Sequence, residues 1–418
     1  MDRQVAMPVS QAERFPLLDI LRGFALLGVL LDNLFGFTGW GFQKMQQWQA
    51  MPTWPADGAL ALLELAFVNG KFYSLFSLLF GIGFSIILLR NEQKGINPMK
   101  IFYRRLLILL FVFGLPHLFI FWEGDILTLY ALVGMLLPFF RRCSNRTLII
   151  WVICLIASPI LIDLIKVAFH FQPGAFLEKM AETIDKKNGI STNDFGQYLY
   201  TRDHSWQHWR NWQSTGYLYR YSYILNSNRI PKVLGMFLLG FLAGRNMVYA
   251  RLDQFVPLLK KIRKWGFWIG IPASLAGAYF EIDGKEIPDP MGLLDTIAYA
   301  LGVVPLSLAY TCSICLIWLK KQDNSKLNIL APMGRMALTN YLMQTFLAIL
   351  IYYGVGLRLG GNIGPAIFLP LGVLVYLGQL AFSYLWFKFF NYGPFEYIWR
   401  WLTYGRALSL KRKKPAPQ

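Results

Sequence analysis

The sequence predicts an all-α polytopic membrane protein of about ten transmembrane helices with both termini cytoplasmic. Three observations lead there. Of the 418 residues 55% are hydrophobic and only 15% are charged, a balance that excludes disordered chains and ordinary soluble domains. The apolar residues gather into ten runs, most near the roughly 20 residues a bilayer crossing needs. Lys and Arg concentrate in alternate connections between those runs, as cytoplasmic loops do.

The runs cover 17–37, 66–89, 105–122, 126–140, 147–169, 233–249, 265–280, 292–318, 328–353 and 363–388. The first carries Asp19 and Arg22 and no small-residue cleavage site follows it, so it reads as a retained helix rather than a signal peptide. Glu64, Asn69 and Lys71 crowd the start of the second, and a half-inserted segment from Asp57 to Asn69 is expected ahead of it. The third and fourth form a hairpin around Glu123-Gly124-Asp125. Asp163 and Lys166 make an i, i+3 pair near the end of the fifth. Gly23, Gly28, Gly81 and Gly83 suit close packing of the first two helices. Four sections result: an N-terminal membrane half 1–169, an extracytoplasmic loop 170–230, a C-terminal membrane half 231–390 and a cytoplasmic amphipathic basic tail 391–418. The loop carries Trp206 and Trp209, which suit a segment lying on the membrane surface. The tail, with Arg400, Arg406 and Lys411-Arg412-Lys413-Lys414, suits the acidic inner leaflet or an acidic cofactor.

Orientation follows from charge. With the N-terminus inside, the short outer segments hold only Lys44, Lys285 and Arg358, while the inner ones hold clusters such as Arg141-Arg142 and Lys260-Lys261. The net charge of +18 would suit nucleic acid on a soluble domain. Here the positive residues lie between apolar runs, so membrane lipids are the expected partner and nucleic acid is not. Cys312 and Cys315 sit inside an apolar run, which argues against a disulfide framework or a zinc site. His204 and His208 have the i, i+4 spacing of helix-borne metal ligands but lack a third ligand, so no metal is expected.

The stretch from Arg104 to Gly134 concentrates chemistry. His117 follows Pro116, Asp125 opens the next run, and Tyr130 lies five residues on. Ionisable groups at membrane depth are costly and usually face a protein interior or a wet cavity. Either the His and Asp form a site, or Asp125 caps its helix and His117 bonds a carbonyl. The site reading places His117 in a polar cavity within reach of Asp125, near Asn33 and open to the outer side. Asn33 is eleven residues past Arg22, three helical turns, and so shares its face. Asp19 and Arg22 are expected to pair structurally, with Tyr130 a further structural polar group.

Five stretches together resemble the YeiB-like family of bacterial membrane proteins: Leu18 to Asn33, Gly70 to Gly83, Arg104 to Gly134, Gly334 to Thr345 and Tyr392 to Arg406. The last two are similar to that family's C-terminal domain of unknown function 418. The first-helix motif is similar to that of the transmembrane acyltransferases, such as heparan-α-glucosaminide N-acetyltransferase. The resemblance implies a multi-pass protein of the bacterial plasma (inner) membrane. It also implies transfer of an acyl group from cytoplasmic acyl-CoA, for example acetyl-CoA, to an extracytoplasmic sugar or lipid-linked acceptor. In those enzymes an Asn closing the motif and a His after it carry the chemistry. Asn33 matches the Asn; the imidazole would come from His117 on another helix, oriented by Asp125. Arg335, Arg400 and Arg406 would meet the donor phosphates. The alternative function is a transporter or lipid-translocating protein without acyl transfer. A homodimer is one assembly left open.

Overall fold

The computed structural model describes residues 14–191, 195–282 and 287–412. Among these, the only extended pairing is an isolated bridge between Phe390 and Lys411. In chain order the main helices are α1 (Pro16–Phe37), α2 (Ala56–Phe67), α3 (Lys71–Gln93), α4 (Pro98–Phe121), α5 (Leu127–Gly134), α6 (Asn145–Phe169), α7 (Ala175–Lys187), α8 (Ser205–Asn226), α9 (Arg229–Arg245), α10 (Leu252–Ile282), α11 (Pro290–Leu319), α12 (Ala337–Tyr352), α13 (Pro365–Phe389) and α14 (Pro394–Tyr404). Six stretches among the described residues are long and apolar enough to cross a membrane: α1, Ala56–Gln93, α4, α6, α11 and α13. The chain is an all-helical multi-pass membrane protein.

The remaining expected runs are helical but shorter or more charged. Leu127–Phe140 and α12 are short apolar helices, α9 has 17 residues, and α10 begins with a charged, water-compatible half containing Lys260, Lys261 and Arg263. The run expected over 328–353 breaks at Met336 into a one-turn helix, Ala331–Arg335, and α12. The expected half-inserted segment forms its own helix, α2. Gly70, at φ +79°, makes the turn into α3, where a Cβ would press on the Tyr299 hydroxyl at 2.6 Å.

Helix starts follow the sequence. Asn97, Ser144 and Asp289 accept from Met99 N, Thr147 N and Met291 N at 3.0, 3.1 and 2.7 Å, with Pro98 and Pro290 at the first turn. Two other helix starts receive carboxylates from distant segments. Asp57 accepts from Ala366 N of α13 at 2.8 Å. Glu396 of α14 accepts from Leu338 N and Thr339 N of α12 at 2.8 and 3.0 Å. Backbone donors inside a membrane must be satisfied by protein, and a carboxylate also suits the helix dipole.

The halves on either side of residues 170–230 interlock. Helix α9 packs against α3 and α6, and α1 packs against α12 and α13. The α3–α9 crossing is backbone on backbone: a Cβ on Gly81 would strike Phe237 O, and one on Gly240 would strike Leu78 O. Lipid supplies little hydrophobic drive between helices, so such close contact is what holds them together. Gly83, expected to pack likewise, has nothing within 4 Å of a built Cβ and faces a cavity instead.

This contrast is testable by thermal unfolding in detergent. Gly240→Val should destabilise by about 1–3 kcal/mol through overpacking. Gly83→Ala should be neutral or raise the melting temperature, since it adds helix propensity where nothing is displaced.

Candidate functional site

Pro116 cannot donate its backbone nitrogen, and α4 adjusts by widening into π-helical turns on either side, Leu109–Gly114 and His117–Phe121. The resulting change in register turns His117 into the protein. Its Nδ1 lies 2.8 Å from Asp125 Oδ1 and its Nε2 lies 2.9 Å from Thr345 Oγ1 of α12. The second Asp125 oxygen accepts from Thr128 N at 2.7 Å and from Thr128 Oγ1 at 2.5 Å. Arg220 of α8 donates twice, from its Nε and a terminal nitrogen, to the Asp125 carbonyl at 3.1 and 2.8 Å. His117, Asp125 and Thr345 are 2%, 0% and 1% exposed. Asp125 therefore caps a helix and orients an imidazole at once: the two sequence readings describe one carboxylate. A carboxylate on Nδ1 holds the proton there and leaves Nε2 to accept from Thr345.

The side of this cluster expected to open, at the hairpin turn, is closed. Residues 170–230 do not merely lie on a surface; α8 docks onto the hairpin turn. Trp212 donates to the Glu123 carboxylate at 3.1 Å and Gln213 donates to the Phe121 carbonyl at 3.0 Å, so acceptors of the turn find partners in α8. Asn33 is half-buried on α1, and no hydrogen bond joins it to the pair. It sits one turn before Phe37, whose ring lies 4.0 Å from that of Trp122. Trp122 in turn is 6.3 Å from the imidazole. In the same segment His208 Nδ1 meets Thr201 Oγ1 at 2.6 Å, with the His204 ring 6.4 Å away. Burial, then His204, lowers the His208 pKa.

A cavity of about 370 Å³ lies at the other end of α1, and Ile126, Tyr130 and Tyr341 are part of its lining. The Tyr341 ring is 5.3 Å from His117, so the cavity lining comes within one aromatic ring of the imidazole. Five arginines line the cavity: Arg14, Arg22, Arg105, Arg335 and Arg400. Of these Arg22 pairs with Asp19 at 2.6 Å, as expected. Arg105 stacks on Trp399 at 4.1 Å, Arg335 on Phe387 at 3.8 Å and Arg400 on Tyr392 at 5.0 Å. Burial, followed by Arg400, lowers the Arg14 pKa. Burial, followed by Arg105, lowers that of Arg400. An anion bound there would relieve that crowding.

The structure thus brings Arg335 and Arg400 to one cavity and leaves Arg406 exposed outside it. Tyr130 donates to the Tyr73 carbonyl at 2.8 Å and meets Ser77 Oγ at 2.7 Å. The tail is more than a leaflet anchor, because α14 forms a cavity wall and Trp399 donates to Arg105 O at 3.0 Å. Sequence reasoning missed Thr345, Tyr341, Arg220 and Arg105. Only Thr128 had a local signal, its spacing of three residues from a candidate cap.

A family model described as a protein of unknown function, DUF418, matches residues 243–406. A Bacillus subtilis relative, the uncharacterized protein YxaH, is 31% identical over 95% of this chain and 96% of its own length. The chain belongs to the YeiB-like, DUF418 family. Escherichia coli YeiB, also described as uncharacterized, is 28% identical over 94% of the chain and 96% of its own length. A Bacillus acidopullulyticus protein described by its place beside an amylase gene is 28% identical over 98% and 99%. No solved structure matches the chain.

Asp125→Ala should cost about 3 kcal/mol or more of stability in chemical unfolding, because Thr128 N and His117 Nδ1 lose a buried partner together. Asp125→Asn should cost less, since its carbonyl oxygen still accepts from Thr128 N while the amide group disturbs the imidazole tautomer.

Proposed function

We propose that this protein is a membrane acyltransferase. In this reading its ten apolar runs cross a bacterial inner membrane with both termini cytoplasmic. It takes an acyl group from cytoplasmic acyl-CoA and delivers it to a hydroxyl or amine of a sugar or lipid-linked acceptor. The observation that carries the reading is the cavity with its five arginines, its apolar side chains and a lining ring, Tyr341, beside His117. Guanidinium groups suit phosphates, and an apolar shaft suits an acyl chain.

The chemistry follows from the His–Asp pair. Nε2 of His117 accepts the proton of the acceptor's hydroxyl, which takes the place that Thr345 Oγ1 fills beside it. The acceptor oxygen bonds to the thioester carbonyl carbon, and the carbon–sulfur bond then breaks. The proton passes from Nε2 to the departing coenzyme A thiolate. Asp125 stabilises the transient imidazolium, and the Asn33 amide stabilises the developing oxyanion. Tyr341 must swing aside for the thioester to reach the base. A second reading, lipid movement, draws on an apolar hollow of about 450 Å³ between α5 and α8, lined by Leu132, Leu136 and Tyr217.

Binding of acyl-CoA to purified protein tests the donor site. Arg335→Gln and Arg400→Gln should each weaken it about tenfold, the worth of one charge-assisted hydrogen bond (~1.5 kcal/mol). The loss should shrink at high salt, and Arg406→Gln should bind normally. His117→Ala should abolish acyl transfer while Thr345→Val retains it. Absence of acyl-CoA binding, together with movement of labelled lipid in vesicles, would replace the reading with the second one. Labelling of introduced cysteines in intact cells tests topology: position 172 should react with an impermeant reagent, and position 411 should not.

A further inference from the structure

Among the described residues two glycines line the arginine cavity, and they differ in what explains them. A Cβ on Gly334 would strike the Asp19 carbonyl of α1, so that glycine lets two backbones meet. Gly83 lies in the middle of α3, where glycine costs helix stability, and a Cβ built on it has nothing within 4 Å. Neither packing nor a turn accounts for it. What it leaves is room in the cavity wall. That room is bounded by aromatic rings held from behind. Phe80 stacks on Phe237 of α9 at 4.4 Å, and Phe84 packs on Phe102 of α4 at 4.4 Å. Phe76, Phe80, Gly83 and Ile87 follow the spacing of one helix face, and all four line the cavity. One turn from Gly83, Phe80 meets Tyr130 edge-on at 5.6 Å. Tyr130 shares the lining with Tyr341, the ring beside His117. On α4 the lining passes from apolar Leu106 to cationic Arg105 within one residue.

We propose that the recess at Gly83 holds the hydrocarbon chain of the donor, that the donor is therefore a medium- or long-chain acyl-CoA, and that position 83 sets the chain length accepted. The proposal rests on the donor reading above and names its substrate class. The lining suits one amphiphilic occupant: guanidinium groups meet its phosphates, and the α3 face meets its chain. An acetyl donor ends in a single methyl, which would leave the rings around the recess without contact atoms on their open side. Each methylene added supplies those contacts. Burial of one methylene tightens binding about fourfold. A side chain at position 83 takes the same space and excludes the chain.

The test is binding of acetyl-, butyryl-, hexanoyl- and octanoyl-CoA to the full chain in lipid nanodiscs, with binding to empty nanodiscs subtracted. Wild-type affinity should rise along the series. Gly83→Leu should lower the octanoyl-to-acetyl affinity ratio by roughly tenfold or more, since its side chain displaces several methylenes. Gly83→Ala adds one methyl where nothing is displaced. It should lower the ratio about threefold without lowering the melting temperature, and it carries the test if the Leu variant does not fold. Arg400→Gln should weaken every member alike and leave the ratio unchanged, because it acts on the phosphates. A wild-type series that stays flat, or a ratio that neither substitution at position 83 moves, overturns the recess and leaves the donor reading standing. Failure of every thioester to bind the wild type overturns the donor reading, and the recess with it.

Discussion

The carboxylate of Asp125 is the joint on which this structure turns. One oxygen holds the imidazole of α4, the other starts α5, and the carbonyl of the same residue receives Arg220 from α8. Two consecutive helices and a third element 95 residues away therefore share one residue that is wholly buried. A carboxylate is expensive to bury unless every lone pair is occupied. Here the occupants are themselves donors that the membrane would leave unsatisfied, the Thr128 backbone N–H and hydroxyl and the imidazole N–H. Each side needs the other, and the result is a rigid hairpin whose tip cannot open without α8 lifting away.

The same arrangement recurs at lower stakes. Asp57 starts α13 and Glu396 starts α12, both from elements distant in sequence. Where lipid cannot hydrate a helix end, the chain supplies an acid from another segment. The cost is that each acid fixes relative positions, which explains why helices of the two halves interlock rather than forming separable units. The arginines follow the opposite logic. Arg105, Arg335 and Arg400 rest on aromatic faces, which hold the guanidinium planes in place without neutralising them. An aromatic shelf keeps a cation available to an anion, and a carboxylate partner would not.

The sequence made the helical membrane class legible because apolar runs and loop charges report directly on a bilayer. It also brought out His117 with Asp125, since both fall within one short hairpin where local spacing decides contact. What escaped it was long-range or register-dependent. Thr345 lies 228 residues from His117, and no local pattern links them. The π-helical turns around Pro116 change which way side chains point, and a 3.6-residue repeat cannot register an inserted residue. The cavity lies at the end opposite to the one expected because α8, read as a surface segment, packs onto the hairpin turn. Arg406 and Arg400 look alike in the sequence, yet α14 ends at Tyr404 and carries only Arg400 to the cavity.

Helix α12 is the element that connects these observations. Leu338 and Tyr341 line the cavity, and Thr345 reaches His117. Their spacing of three and four residues places them on one face of the helix, one above the other. The N-terminus of that helix is held by Glu396 of α14, which also carries Arg400. Arg400 and the buried imidazole are thus joined through one helix, whose start meets the element carrying the arginine and whose inner face, at Tyr341 and Thr345, meets His117.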